Sequence, residues 1–170
     1  MMKNIKKTFE TRQVDLPQGD HKNNFLIKMD PDANGLFWND NEGDEERGFC
    51  IGDDEHLNLP GRDIDFNMPE LKEWLSLFVF QALAPCEAEE TTPENLTKTF
   101  DWRDFHKRGI ALAVEVKKLL PKNCVLKYAA PFEDKSGLLP DEVLIDEDLQ
   151  HVENVQENLF NFLALKDGAL

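Results

Sequence analysis

The residues whose spacing most resembles a ligand set are Asp30, Asp32 and Asn34, followed by Gly35. Oxygen ligands at alternate positions, with a glycine for the sharp turn, are how a calcium loop begins. The position at which such a loop supplies a bidentate carboxylate is occupied by Asn41, with Glu42 one residue later. Strand-forming segments flank the loop where helices are needed, and Asp-Pro and Asn-Gly are ordinary turn pairs. A connecting turn is the simpler reading, and divalent-cation binding through Asp30, Asp32 and Asn34 is the alternative. A second cluster, Asp53, Asp54, Glu55 and His56 with Asp63 and Asp65, has ligand types suited to manganese or iron. Consecutive residues cannot all point at one ion, so a solvated acidic loop accounts for it better.

Other chemistry is thinly represented. His106 falls at the edge of an apolar helical face, where a general base is conceivable, but no partner motif accompanies it. A half-buried histidine with one hydrogen bond is the plainer expectation. His21, His56 and His151 lack zinc-ligand spacing. Ser76 and Ser136 are the serines, and neither sits in a nucleophile elbow. Cys50, Cys86 and Cys124 are widely spaced and odd in number, which reads as reduced thiols. Packing explains Cys50 and Cys124 best, and the acidic surroundings of Cys86 raise its thiol pKa and argue against a nucleophile. The chain is therefore expected to be non-enzymatic, without a cofactor.

Charge is the strongest global signal. The chain carries 34 Asp plus Glu against 19 Lys plus Arg, a formal charge of −15. Such a chain gains no counterion-release energy from nucleic acid and is poorly matched to an anionic membrane surface. It favours steering toward a basic protein partner. The acidic residues fall in three blocks: Asp40, Glu42, Asp44, Glu45 and Glu46; Glu87, Glu89, Glu90 and Glu94; and Asp141, Glu142, Asp146, Glu147 and Asp148. The first, together with Asp53, Asp54 and Glu55 and with Trp38 as an aromatic anchor, is the candidate partner-binding surface. Neither an export signal nor a membrane-spanning run is evident, so the cytoplasm is the expected compartment.

Apolar runs at 25–29, 36–38 and 49–51 predict two or three antiparallel strands separated by turn formers. Pro69 suits a first helical turn, and Leu71, Trp74, Leu75, Phe78, Val79 and Ala82 recur at helical spacing. Leu77, Phe80 and Leu83 make this helix apolar nearly all round, which requires a central position in the core or a covering partner. An acidic, threonine-rich stretch through about residue 99 carries no packing signal. Asp101 then caps a helix whose apolar face contains Trp102, Phe105, Gly109, Leu112, Ala113 and Val116, closed by Pro121. A glycine there costs about 1 kcal/mol relative to alanine, and close approach of another backbone would explain it. Strands are expected at 125–128 and 143–145, and a C-terminal helix over Val152, Val155, Leu159, Phe162 and Leu163.

Three landmarks in this order carry a resemblance: Gly35-Leu36-Phe37-Trp38-Asn39-Asp40; Leu59-Pro60 ahead of Leu71 and Trp74; and Phe105-x-x-x-Gly109-x-x-Leu112-Ala113 leading into Val125-Leu126-Lys127-Tyr128. Over about residues 23 to 130 the chain resembles small acidic bacterial proteins, many unassigned and some encoded as immunity partners of secreted toxins. The landmarks are structural. The resemblance implies an immunity protein that occludes a basic toxin. The expected architecture is a single α+β domain spanning 1–170, an antiparallel sheet packed by two or three helices, with residues 1–20 and 86–99 loosely packed.

Overall fold

The computed structural model describes residues 24–139 and 142–145. The predicted C-terminal helix, residues 1–20, Asp141 and residues 146–148 lie outside the described residues. Strands β1 (Phe25–Asp32) and β2 (Gly35–Asn39) form the first hairpin. The Trp38 indole N–H closes it by donating to the Asp30 carbonyl at 2.8 Å. Three short strands follow: β3 (Cys50–Gly52), β4 (His56–Leu59) and β5 (Arg62–Asp65). Late in the chain come β6 (Cys124–Ala129) and β7 (Glu142–Ile145). Among the described residues these make one seven-stranded sheet in the order β5-β4-β3-β2-β1-β6-β7. Every neighbouring pair is antiparallel except β1 and β6, which run parallel from Phe25 opposite Cys124 to Met29 opposite Tyr128.

The β4–β5 hairpin replaces the solvated loop expected over 53–65. Leu57 and Ile64 pair across it and both point into the core, while His56, Asn58, Asp63 and Asp65 are exposed. That is the period-two pattern of a half-buried ribbon. Pro60 and Gly61 make its two-residue turn, with Gly61 at φ +74°, a conformation glycine adopts without a Cβ clash.

Helix α1 (Pro69–Phe78) buries Leu71, Trp74, Leu75 and Phe78. It runs on through a π-helical turn (Val79–Leu83) into the short α2 (Ala84–Glu87). Helix α3 (Pro93–Thr99) occupies part of the stretch expected to lack packing. The Thr92 side chain caps it by accepting the Asn95 N–H at 3.2 Å, and Leu96 is buried beneath it. Helix α4 (Trp102–Leu119) starts as expected, with the Asp101 carboxylate accepting the Asp104 N–H at 3.0 Å.

The core joins these helices to Ile27, Met29, Phe37, Leu57, Leu126, Tyr128, Val143 and Ile145 of the sheet. At its centre Trp74 and Phe105 stack at 4.5 Å, and the Trp74 indole donates to the Phe105 carbonyl at 2.9 Å. A Cβ on Gly109 would lie 2.5 Å from the Tyr128 hydroxyl and 2.6 Å from the Trp74 ring. The close approach inferred from Gly109 is thus real, but two aromatic side chains make it, not a backbone.

Candidate functional site

The loop between β2 and β3 is mounted on a knot of short polar side chains. Asn41 Oδ1 accepts the Leu26 N–H at 2.8 Å, while Asn41 Nδ2 donates to the Leu26 carbonyl at 3.2 Å and to Asn39 Oδ1 at 2.8 Å. Asn41, a residue unsuited to closing a calcium loop, thus extends the hydrogen bonding of β1. Asp40 turns inward and is 5% exposed, facing Lys28 at 3.9 Å, Arg47 at 3.4 Å and Lys127 at 3.5 Å. Glu142 completes the network by pairing with the same two lysines at 3.2 and 3.3 Å. Asp40, grouped by sequence with a partner-binding surface, serves this internal network, because a buried carboxylate must be paired.

The rest of the block faces outward. Glu42, Asp44, Glu45 and Glu46 are exposed. Asp44 accepts the Glu46 N–H at 2.9 Å and the Asn39 amide at 3.2 Å, and the backbone bond, followed by Asn39, lowers its pKa. Among the described residues Glu42, Glu45 and Glu46 have no cation partner. Across β3, whose length is about 7 Å at 3.3 Å per residue, lie Asp53, Asp54 and Glu55. Asp53 accepts the Glu55 and His56 N–H groups at 2.8 Å each. Burial opposes its ionisation, but these donors outweigh it and its pKa is lowered. Glu55 pairs with Lys72 at 3.0 Å.

Phe49 lies in the sequence between the two acidic runs, with its side chain in solvent, 61% exposed. Its backbone is fixed: its carbonyl accepts the Asn39 N–H at 2.9 Å, its N–H donates to Glu46 at 3.0 Å, and Gly48 before it turns at φ +88°. Sequence reasoning treated Phe49 as a strand residue and chose Trp38 as the anchor. Trp38 is half-buried, with its indole N–H already engaged. Cys50, expected to pack, is exposed as a residue, although its thiol lies over Gly35 and donates to the Gly52 carbonyl at 3.4 Å.

The cation alternative finds little geometry. Asp32 Oδ1 accepts the Ala33 N–H at 2.6 Å, as in a turn. Asp30 is pushed up to about 7 by burial first, with Lys28 opposing and Asp32 and Glu133 adding to the rise. His56 Nδ1 is 2.7 Å from Asp65, whose hydrogen bond raises the imidazole pKa. Among the described residues no group of three or more His, Cys, Asp or Glu is placed to hold a metal ion.

His106 is 1% exposed and makes two hydrogen bonds, not the single one expected of a half-buried ring. Its Nε2 is 2.6 Å from Asp134 Oδ2 and its Nδ1 is 2.9 Å from the Tyr128 hydroxyl. Asp134 Oδ1 accepts the Ser136 N–H at 2.8 Å and the Ser136 hydroxyl at 2.5 Å. Burial works against the Asp134 charge, yet His106 and Ser136 prevail and lower its pKa, while burial drives Tyr128 well above the ordinary phenol value. A coherent proton assignment follows: Tyr128 O–H donates to Nδ1, and Nε2–H donates to an ionised Asp134. Ser136 donates to the carboxylate and not to the imidazole, so it is not an activated nucleophile. Both imidazole nitrogens are occupied inside the core, and the arrangement joins α4, β6 and the 131–137 loop.

Among the described residues no helix is long and apolar enough to cross a membrane. Comparison with protein-family models, with curated proteins and with solved structures finds no match to this chain.

Proposed function

We propose that this chain is a non-enzymatic interaction protein that binds a cationic protein partner through the surface formed by Glu42, Asp44, Glu45, Glu46, Asp53, Asp54 and Glu55 around Phe49. The observation that carries this reading is an exposed phenylalanine, held by backbone hydrogen bonds on both sides, that lies in the sequence between two runs of carboxylates. An exposed aromatic anchor flanked by acidic segments is how a hot spot and a steering field are combined. The immunity-type resemblance makes the partner a basic bacterial toxin met in the cytoplasm. Divalent-cation binding has no comparable support, since Asp32 is engaged by its own turn.

The test is affinity capture on the immobilised chain with quantitative mass spectrometry, run in parallel with Phe49→Asp and Glu45→Lys. A basic protein retained by the wild type at low salt, and reduced at least tenfold by either substitution, is the expected result. Identical capture profiles for wild type and both variants would remove this surface from consideration.

A further inference from the structure

The α1 helix was expected to be apolar on nearly every side, and the fold buries only one of them. Leu71, Trp74, Leu75 and Phe78 face the core. The π-turn that follows is closed by the Ala84 N–H donating to the Val79 carbonyl. Its width brings both Ala82 and Leu83 inward and leaves Phe80 outward, 73% exposed. Leu77 before it is half-buried and packs in part against the core, while Gln81, Ala84 and Ala88 after it are exposed. The strip from 77 to 88 rises about 16 Å at 1.5 Å per residue, enough to receive three turns of a partner helix. Wide π-turns inside helices occur frequently at functional sites. Phe132, also strongly exposed, differs because the Lys135 ammonium lies over its ring at 4.1 Å.

The charges around the strip identify what it accepts. Glu70, Glu73, Glu87, Glu89 and Glu90 are exposed along this segment, and its one cation, Lys72, is held by Glu55 at 3.0 Å. A second copy would set these carboxylates against their own kind. We propose that the outer face of α1 and its π-turn is a second docking surface, distinct from the Phe49 surface, that accepts a cationic amphipathic helix from a partner protein, with Phe80 as the central anchor. Apolar residues of that helix cover Leu77 and Phe80, small Ala84 and Ala88 allow close approach, and lysine or arginine residues meet the glutamate rim.

The probe is a synthetic 18-residue amphipathic Lys/Leu helix (about five turns), titrated calorimetrically into the full chain at physiological salt, beside a scrambled peptide of identical composition. One-to-one binding, at least tenfold weaker for the scrambled peptide and for Phe80→Asp, is the expected outcome. Phe80→Asp adds a negative charge, so association driven by charge alone would tighten. Phe49→Asp should leave the affinity within twofold, which separates this surface from the one proposed above. Phe80→Asp binding as well as or better than wild type overturns the proposal. So does sedimentation of the wild type as a dimer that Phe80→Asp converts to monomer, since a second copy would then own the face. Unchanged circular dichroism of the variant verifies that an exposed side chain was altered without unfolding.

Discussion

His106 is held between a phenol and a carboxylate in the core, and that pairing governs what its loss should do. Replacing it with alanine leaves the Asp134 carboxylate, 2% exposed as a side chain, without its imidazole partner. Stripping a buried carboxylate of one hydrogen-bond donor costs about 1–3 kcal/mol, so urea unfolding of His106→Ala should show a loss of that order. A loss below about 1 kcal/mol would mean the network is solvated. Asp134 also sets an acid limit. Its folded pKa lies below the ordinary 3.8, so its contribution is complete above that value and is lost as pH falls through the folded one. Asp134→Asn should therefore flatten the stability curve below about pH 4. Asp30 has the opposite sign. Raised from 3.8 to about 7, its ionisation is harder in the folded chain, so its penalty is absent below 3.8, grows up to 7 and is complete above. At about 1.4 kcal/mol per unit, discounted because the group is partly solvated, Asp30→Asn should gain about 1–2 kcal/mol at pH 8 and nothing at pH 3.5. An equal gain at both pH values would show that ionisation is not the cause.

At the scale of elements, Gly109 tests the packing of α4 against β6 and α1. Alanine improves helix propensity by about 1 kcal/mol, yet its methyl would enter the space of the Tyr128 hydroxyl and the Trp74 ring. Overpacking of this kind costs about 1–3 kcal/mol, so Gly109→Ala should give a net loss and a lower melting temperature. Leu96→Ala makes a comparable demand of α3. If that helix is part of the core, truncation costs about 2–5 kcal/mol, and a neutral result would return the segment to the loose loop its composition suggested. The contrast shows what could be read in advance. The strands near 25–29 and 125–128 and the helices opened by Pro69 and Asp101 were legible because apolar spacing and capping are local properties. The single apolar Leu96 among polar neighbours concealed α3, although Thr92-Pro93 was a usable capping signal. The β4–β5 hairpin was concealed by its acids, while Leu57, Leu59 and Ile64 kept the alternation. The parallel pairing of β1 with β6, and the meeting of His106 with Asp134, which are 28 residues apart, leave no local trace. Asp40 shows the same limit within one residue: its acidic neighbours suggest the surface, and only its three cations reveal the interior.

At the scale of the whole molecule, the charge of −15 acts on folding and on binding with opposite sensitivity to salt. Like charges spread over a small surface repel one another and weaken the compact state. Screening lengths shrink from about 30 Å at 0.01 M to about 8 Å at 0.15 M. Repulsion among the acidic runs at 42–46 and 53–55 and the glutamates at the end of α2 and just beyond it is therefore quenched over that range, and the melting temperature should rise. Short internal pairs such as Lys127 with Asp40 and Glu142 are only partly exposed and lose less. Association with a cationic partner should move the other way, its on-rate falling steeply over the same salt range while the off-rate changes little, because steering acts before contact. Stopped-flow association and thermal melts on one preparation measure both. A melting temperature that rises while the on-rate falls is what a charge carried for recognition, at some cost to stability, produces. An on-rate indifferent to salt would reduce the acid excess to a solubility device and leave Phe49 and Phe80 to account for binding by apolar contact alone.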